Sequence, residues 1–163
     1  MVLNRVAAML LLSLLTLAGC KDEDPVRAGA PAPDISAMSS DENIVDLSAY
    51  RGKVVFVNFW WAGCGPCLAE MPAIDEAYQE IGPSDLAVFS VNFGQEPQIV
   101  RNIARRLKVS YPLLSDQLKI AAARYGVRAA PTSFLIDREG ILQEAIYGPL
   151  TKEQLQQKVE RLL

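Results

Sequence analysis

The sequence predicts an α/β domain built on a central mixed sheet with helices on both faces. Three observations carry that expectation. Apolar strand-like runs alternate with segments whose apolar residues recur at helical spacing. The run Val54-Val55-Phe56-Val57-Asn58-Phe59-Trp60 shows almost no polar alternation, as expected of a strand covered on both faces. Near the C-terminus two strand patterns joined by a short turn precede a last helix, which adds an antiparallel pair.

Taken in order, residues 43–47 followed by Tyr50-Arg51-Gly52 read as a short strand and turn leading into the strand Lys53 to Phe59. From Pro66 onward Leu68, Met71, Ile74, Ala77, Tyr78 and Ile81 keep helical spacing, and Gly82-Pro83 stops the helix. Pro72 lies inside it and is expected to kink it, because its ring removes a backbone donor. Leu86 to Val91 is a second buried strand, and Glu96-Pro97 opens a helix carrying Ile99, Val100, Ile103, Ala104 and Leu107. Residues 111–114 form a short extended piece; Gln117 to Tyr125 is a helix that ends at Gly126, a residue suited to a helix C-terminus. Thr132 to Ile136 and Ile141 to Ile146 make a hairpin through Asp137-Arg138-Glu139-Gly140. Thr151 is the N-cap of the final helix, with Gln154 placed for a capping box.

The N-terminus reads as an address. One basic residue, Arg5, precedes an apolar stretch from Val6 to Leu17 that is shorter than the ~20 residues of a membrane span, and small residues follow it. Residues 1–19 are therefore expected to be a cleaved export signal. Residues 20–33, charged and then rich in Pro, Ala and Gly, are expected to be an extended linker, and residues 34–163 one domain.

Composition narrows the chemistry. The formal charge of −3 without a basic cluster gives no footing for nucleic acid, and no glycine-rich phosphate cradle or repeat occurs. The chain has three cysteines and no histidine, so it offers no structural zinc set, no Cys-His nucleophile and no histidine-assisted copper site. No metal and no cofactor is expected.

What remains is Cys64-Gly65-Pro66-Cys67, set between the buried strand and the first long helix. Two thiols at this spacing close a small disulfide ring, and a helix N-terminus favours the thiolate of the first. Pro66 fits the first helical turn, where a missing N–H matters little. Cys64 is expected to be the exposed nucleophile and Cys67, one turn inside, the resolving thiol.

The ordered set Ala32-Pro33-Asp34, Arg51-Gly52-Lys53-Val54-Val55, Asn58-Phe59-Trp60, the CxxC with Glu70 and Pro72, Tyr125-Gly126-Val127, Pro131-Thr132 and Phe134-Leu135-Ile136-Asp137 resembles the TlpA/ResA-like envelope thiol-disulfide oxidoreductases. The resemblance implies a thioredoxin fold, with residues 92–111 matching the helix-containing insertion that family carries between the second buried strand and the terminal hairpin. It implies a cis Pro131 that sets Ala130 beside Cys64, with Ala130, Pro131 and Thr132 pairing with an extended substrate. It also matches Glu70 to the family's acid, a proton acceptor for Cys67, while Asn58 stands where thioredoxins carry a buried carboxylate. Where relatives have Trp directly before the CxxC this chain has Gly63, with an additional Trp61 in the active-site loop; the two tryptophans are expected to be partly core.

Leu17-Ala18-Gly19-Cys20 resembles the lipobox of bacterial lipoproteins, which implies a lipidated Cys20 and a membrane tether on the periplasmic side of the envelope. The Gly-Pro dipeptide matches that of thioredoxin, whose potential is near about −270 mV, against about −120 mV for DsbA. The expected activity is reduction of protein disulfides, apocytochrome c or other exported proteins among them, fed by a membrane thiol relay of the DsbD/CcdA type. A disulfide oxidant or isomerase, a non-enzymatic scaffold lipoprotein and a peroxidase are the alternatives.

Overall fold

The computed structural model describes residues 26–163; the expected export signal and Cys20 lie outside the described residues. Seven strands form one mixed sheet: β1 Ser36–Ser39, β2 Ile44–Asp46, β3 Val54–Trp60, β4 Leu86–Phe93, β5 Leu113–Asp116, β6 Thr132–Ile136 and β7 Leu142–Tyr147, in the order β2-β1-β5-β4-β3-β6-β7. The pairs β3–β4 and β4–β5 are parallel and the others antiparallel. Four α-helices complete the fold: α1 Gly65–Ile81, α2 Pro97–Leu107, α3 Ile120–Arg124 and α4 Lys152–Glu160, with a 3-10 turn at Leu47–Tyr50.

Side-chain alternation along β3 separates two cores. Val54, Phe56 and Trp60 join Met71 and Ile74 of α1, Val100 and Ile103 of α2, and Leu155 and Val159 of α4. Val55, Val57 and Phe59 face the other way, toward Phe89, Phe134, and Ala122 and Tyr125 at α3. All seven β3 residues are buried, which is why the sequence lacks polar alternation there.

The hairpin β6–β7 and the capping box at Thr151 form as the sequence predicts, with Asp137 Oδ1 accepting from the N–H groups of Glu139 and Ile141 in the turn. Gly126 takes a φ of 63°, donating to Ala123 at the end of α3. Helix α1 runs on through Pro72 to Ile81.

Three expectations change. The helix expected from Gln117 shortens to Ile120–Arg124, because Lys119 adopts a left-handed φ of 58° and Asp116 accepts from the N–H groups of Ile120 and Ala122. Strand β1 is new; Ser36-Ala37-Met38-Ser39 is too short and polar to announce itself, and it is held by pairing with β2 and β5. The second half of the expected linker is not free: Gly29 N–H donates to Leu142 O, Ala32 N–H to Gly140 O, and Val26 packs on the second core.

Candidate active site

The site sits where β3 ends and α1 begins. Trp60 closes the strand, and residues 61–64 form a turn in which the Cys64 N–H donates to Trp61 O at 3.0 Å. Cys64 is the N-cap of α1, with extended backbone (φ −89°, ψ 98°), and its Sγ accepts from the Cys67 N–H at 3.2 Å. The first sulfur thus lies against the unpaired N–H groups of a helix start, where negative charge is favoured. Cys64 and Cys67 are joined as a disulfide, with Gly65 and Pro66 in the first turn.

The expected exposure of Cys64 needs correction. Cys64 is 6% exposed and Cys67 0%, so the order holds, but in the disulfide form both belong to the first core rather than the surface. The Cys64 sulfur turns inward to meet Cys67, and Ala62 and Ala130 pack against the same cluster.

The two tryptophans separate completely. Trp60 is fully buried, whereas Trp61 is 44% exposed. The Trp61 ring lies over Gly63: a Cβ at Gly63 would stand 2.3 Å from Trp61 Cζ3. Glycine at 63 is what lets the aromatic ring fold back over the loop.

Across from the loop, the Ala130–Pro131 peptide bond is cis. Pro131 O accepts from Gly148 N–H, and Thr132 Oγ1 donates to Ala129 O at 2.9 Å, which fixes this turn at the head of β6.

Glu70 lies three residues beyond Cys67 in α1, which puts it on the same side of the helix, and is buried at 4% exposure. Its Oε1 accepts from Asn58 Nδ2 at 2.9 Å and its Oε2 from Leu150 N–H at 2.9 Å. Burial pushes its carboxyl above the ordinary 4.5; the hydrogen bonds from Leu150 and Asn58 oppose that rise. A carboxylate so placed is better matched to a thiol proton than a solvated one.

Several participants escape sequence reasoning. Gln95 Oε1 accepts from both the Ala62 N–H at 2.7 Å and Asn92 Nδ2 at 2.8 Å, tying the active-site loop to the end of β4. Ser90 and Ser133 reach Asn58, and the Leu150 backbone reaches Glu70. The two serines were visible as polar interruptions of apolar strands; Gln95 and Leu150 carried no such signal.

Among the described residues no cluster of three or more His, Cys, Asp or Glu side chains is placed to hold a metal, and no helix is long and apolar enough to cross a membrane.

The chain matches the Redoxin family model over residues 27–163. It is 34% identical over 141 residues to the thiol-disulfide oxidoreductase ResA of Geobacillus thermodenitrificans, covering 86% of this chain and 81% of that protein. It is also 34% identical over 143 residues to the thioredoxin-like protein YneN of Bacillus subtilis, covering 86% and 83%. Among solved structures, the exposed lipoprotein thioredoxin of Streptococcus pneumoniae superposes with a TM-score of 0.73 at 32% identity, covering 80% of this chain and all of that one. A thioredoxin family thiol:disulfide interchange protein of Chlorobium tepidum shares the fold, with a TM-score of 0.75 at 24% identity over 84% and 97% of the two chains. With a Cys-x-x-Cys disulfide at the start of α1 and a buried acid behind it, the chain belongs to the Redoxin family as a thioredoxin-fold, ResA/TlpA-like thiol-disulfide oxidoreductase.

Proposed function

We propose that this oxidoreductase is a reductase of protein disulfides, tethered to the membrane through a lipidated Cys20 after loss of residues 1–19. The observation that carries it is the buried Glu70, set one helical turn from Cys67 and held by two N–H donors. A buried acceptor beside the resolving thiol serves the step that releases reduced substrate.

In the reduced enzyme the Cys64 thiolate attacks one sulfur of a substrate disulfide. That S–S bond breaks, a Cys64–substrate disulfide forms, and the leaving thiolate takes a proton from water. Cys67 passes its proton to Glu70 and attacks the Cys64 sulfur. The mixed disulfide breaks, the second substrate thiolate leaves and is protonated, and the substrate has gained two electrons while Cys64 and Cys67 end as the disulfide. At the head of β6 the Ala130 backbone, beside the cis Pro131 and Thr132, pairs with an extended substrate, and the half-exposed Trp61 of the active-site loop adds an aromatic surface.

The Gly65-Pro66 dipeptide and the solved lipoprotein thioredoxin of Streptococcus pneumoniae support the reducing direction and the tether respectively. Electrons then come from a membrane dithiol relay of the DsbD/CcdA type, with apocytochrome c or other exported disulfide proteins as clients. The deciding experiment equilibrates the full-length protein in detergent against glutathione or dithiothreitol buffers. A potential near about −270 mV is expected, and one near about −120 mV makes the protein an oxidant. Labelling with a palmitate analogue in a lipoprotein-competent host is expected to tag the wild type and not Cys20→Ala.

A further inference from the structure

Glu70 is held by a polar row built into the sheet. Asn58 of β3 is in register with Ser90 on β4 and with Ser133 on β6, so three polar side chains cross three adjacent strands at one level. All three are 0% exposed. Both N–H groups of the Asn58 amide are used, donating to Glu70 Oε1 at 2.9 Å and Ser133 Oγ at 3.0 Å, and its Oδ1 accepts a long bond from Ser90 Oγ at 3.5 Å. A side-chain amide is the group that donates twice and accepts once from such a place; a carboxylate at 58 would set two acids against each other.

We propose that Asn58 is a positioning residue: its amide, locked by Ser133 and Ser90, fixes the Glu70 carboxylate under Cys67 and sets the carboxylate's affinity for the thiol proton. This rests on the reading of Glu70 as proton acceptor. Donation from Asn58 favours the ionised form, which is the form able to receive a proton.

The Leu150 N–H on Oε2 shares that control, and few other groups compete for it. Strand β3 turns the neutral Asn58 toward the carboxylate, and β4 and β6 set the neutral Ser90 and Ser133 against Asn58. Tyr111, whose hydroxyl donates to Met71 O at 3.2 Å, feels the Glu70 charge but is itself pushed far up by burial. On α1 the titratable neighbours are Cys67 and Cys64, and Asp75 is spent on Ser110. On α4, Lys152 is engaged by Glu80 and Glu76.

The test uses the full-length chain in detergent, labelled with carbon-13 at glutamate carboxyls, with the Glu70 signal assigned by its loss in Glu70→Gln. Asn58→Leu, close in volume and lacking both donors, is expected to move the Glu70 titration upward. The acid limb of the rate–pH profile for resolution of a Cys64–substrate disulfide should move the same way. On that limb the rate should fall about tenfold, the factor one hydrogen bond to a charged group carries. Ser133→Ala, which frees one amide N–H, is expected to move both readouts in the same direction by less, and it carries the test if Asn58→Leu does not fold.

A Glu70 titration unmoved in a folded Asn58→Leu, or in Ser133→Ala where the first variant is unfolded, overturns the proposal. A rate profile untouched by Glu70→Gln instead overturns the proton-acceptor reading, and the carboxyl titration still judges the hold of Asn58 by itself.

Discussion

The two faces of the sheet share the same strands yet differ in kind. On the face toward α3 the core is apolar and aromatic: Phe59 meets Phe134 edge-on at 5.9 Å and Tyr125 at 5.5 Å, and Tyr50 meets Phe89 at 5.0 Å. On the face toward α1 the same strands bury the Asn58 row, Glu70 and the Cys64–Cys67 ring. One residue step along β3, from Asn58 to Phe59, crosses from reactive chemistry to plain packing. Both faces carry large apolar cores, and the one toward α1 holds in addition the Asn58 row and Glu70, buried polar groups made tolerable by their hydrogen bonds.

Substitutions on each side should therefore break different things. The largest effect is expected at Cys64→Ser, which removes the sulfur proposed to attack; insulin reduction, followed by turbidity, is expected to vanish. Phe59→Ala on the opposite face should instead lower unfolding free energy by about 3–5 kcal/mol in urea titration, leaving the rate–pH profile of the folded protein in place. A shifted profile there would show that the faces are not independent.

Glu70→Gln sharpens the contrast through pH. The folded-state carboxyl is raised above 4.5, so over the window between 4.5 and its folded value the native state holds a proton that the unfolded chain has released. Stability should decline as pH rises through that window and level off above it. Urea midpoints measured across it should show that slope in the wild type and lack it in Glu70→Gln. The smallest effect is expected at Gly63→Ala. Its methyl group would meet the Trp61 ring at 2.3 Å, and a ring that is 44% exposed has room to swing outward. Stability should change by about 1 kcal/mol, with a red shift in the Trp61 emission obtained by subtracting the Trp60 emission recorded from Trp61→Phe.

Much of this was legible before any coordinates. The seven-residue apolar run at β3, the helical spacing of Leu68, Met71 and Ile74, the Gly140 turn and the Thr151 capping box are local signals, and local signals survive in sequence. Failures came where a partner distant in the chain decides. Strand β1 exists because β5 and β2 offer it hydrogen bonds, and Gly29 to Ala32 are ordered because β7 begins beside them. The shortened α3 reflects a competition won by Asp116, whose carboxylate takes the first N–H groups and leaves Lys119 left-handed.

The sequence by itself determined the redox pair, its seat at a strand-to-helix junction and the alternation of strands and helices, because each follows from residues a few positions apart. Only the tertiary structure decided that Glu70 meets Asn58 and the Leu150 N–H, 80 residues away, that Trp61 covers Gly63 while Trp60 is buried, and that Gln95 secures the loop. Those contacts depend on sheet register and on how helices cross the sheet, and both are settled by burying two faces at once, which no short window of sequence encodes.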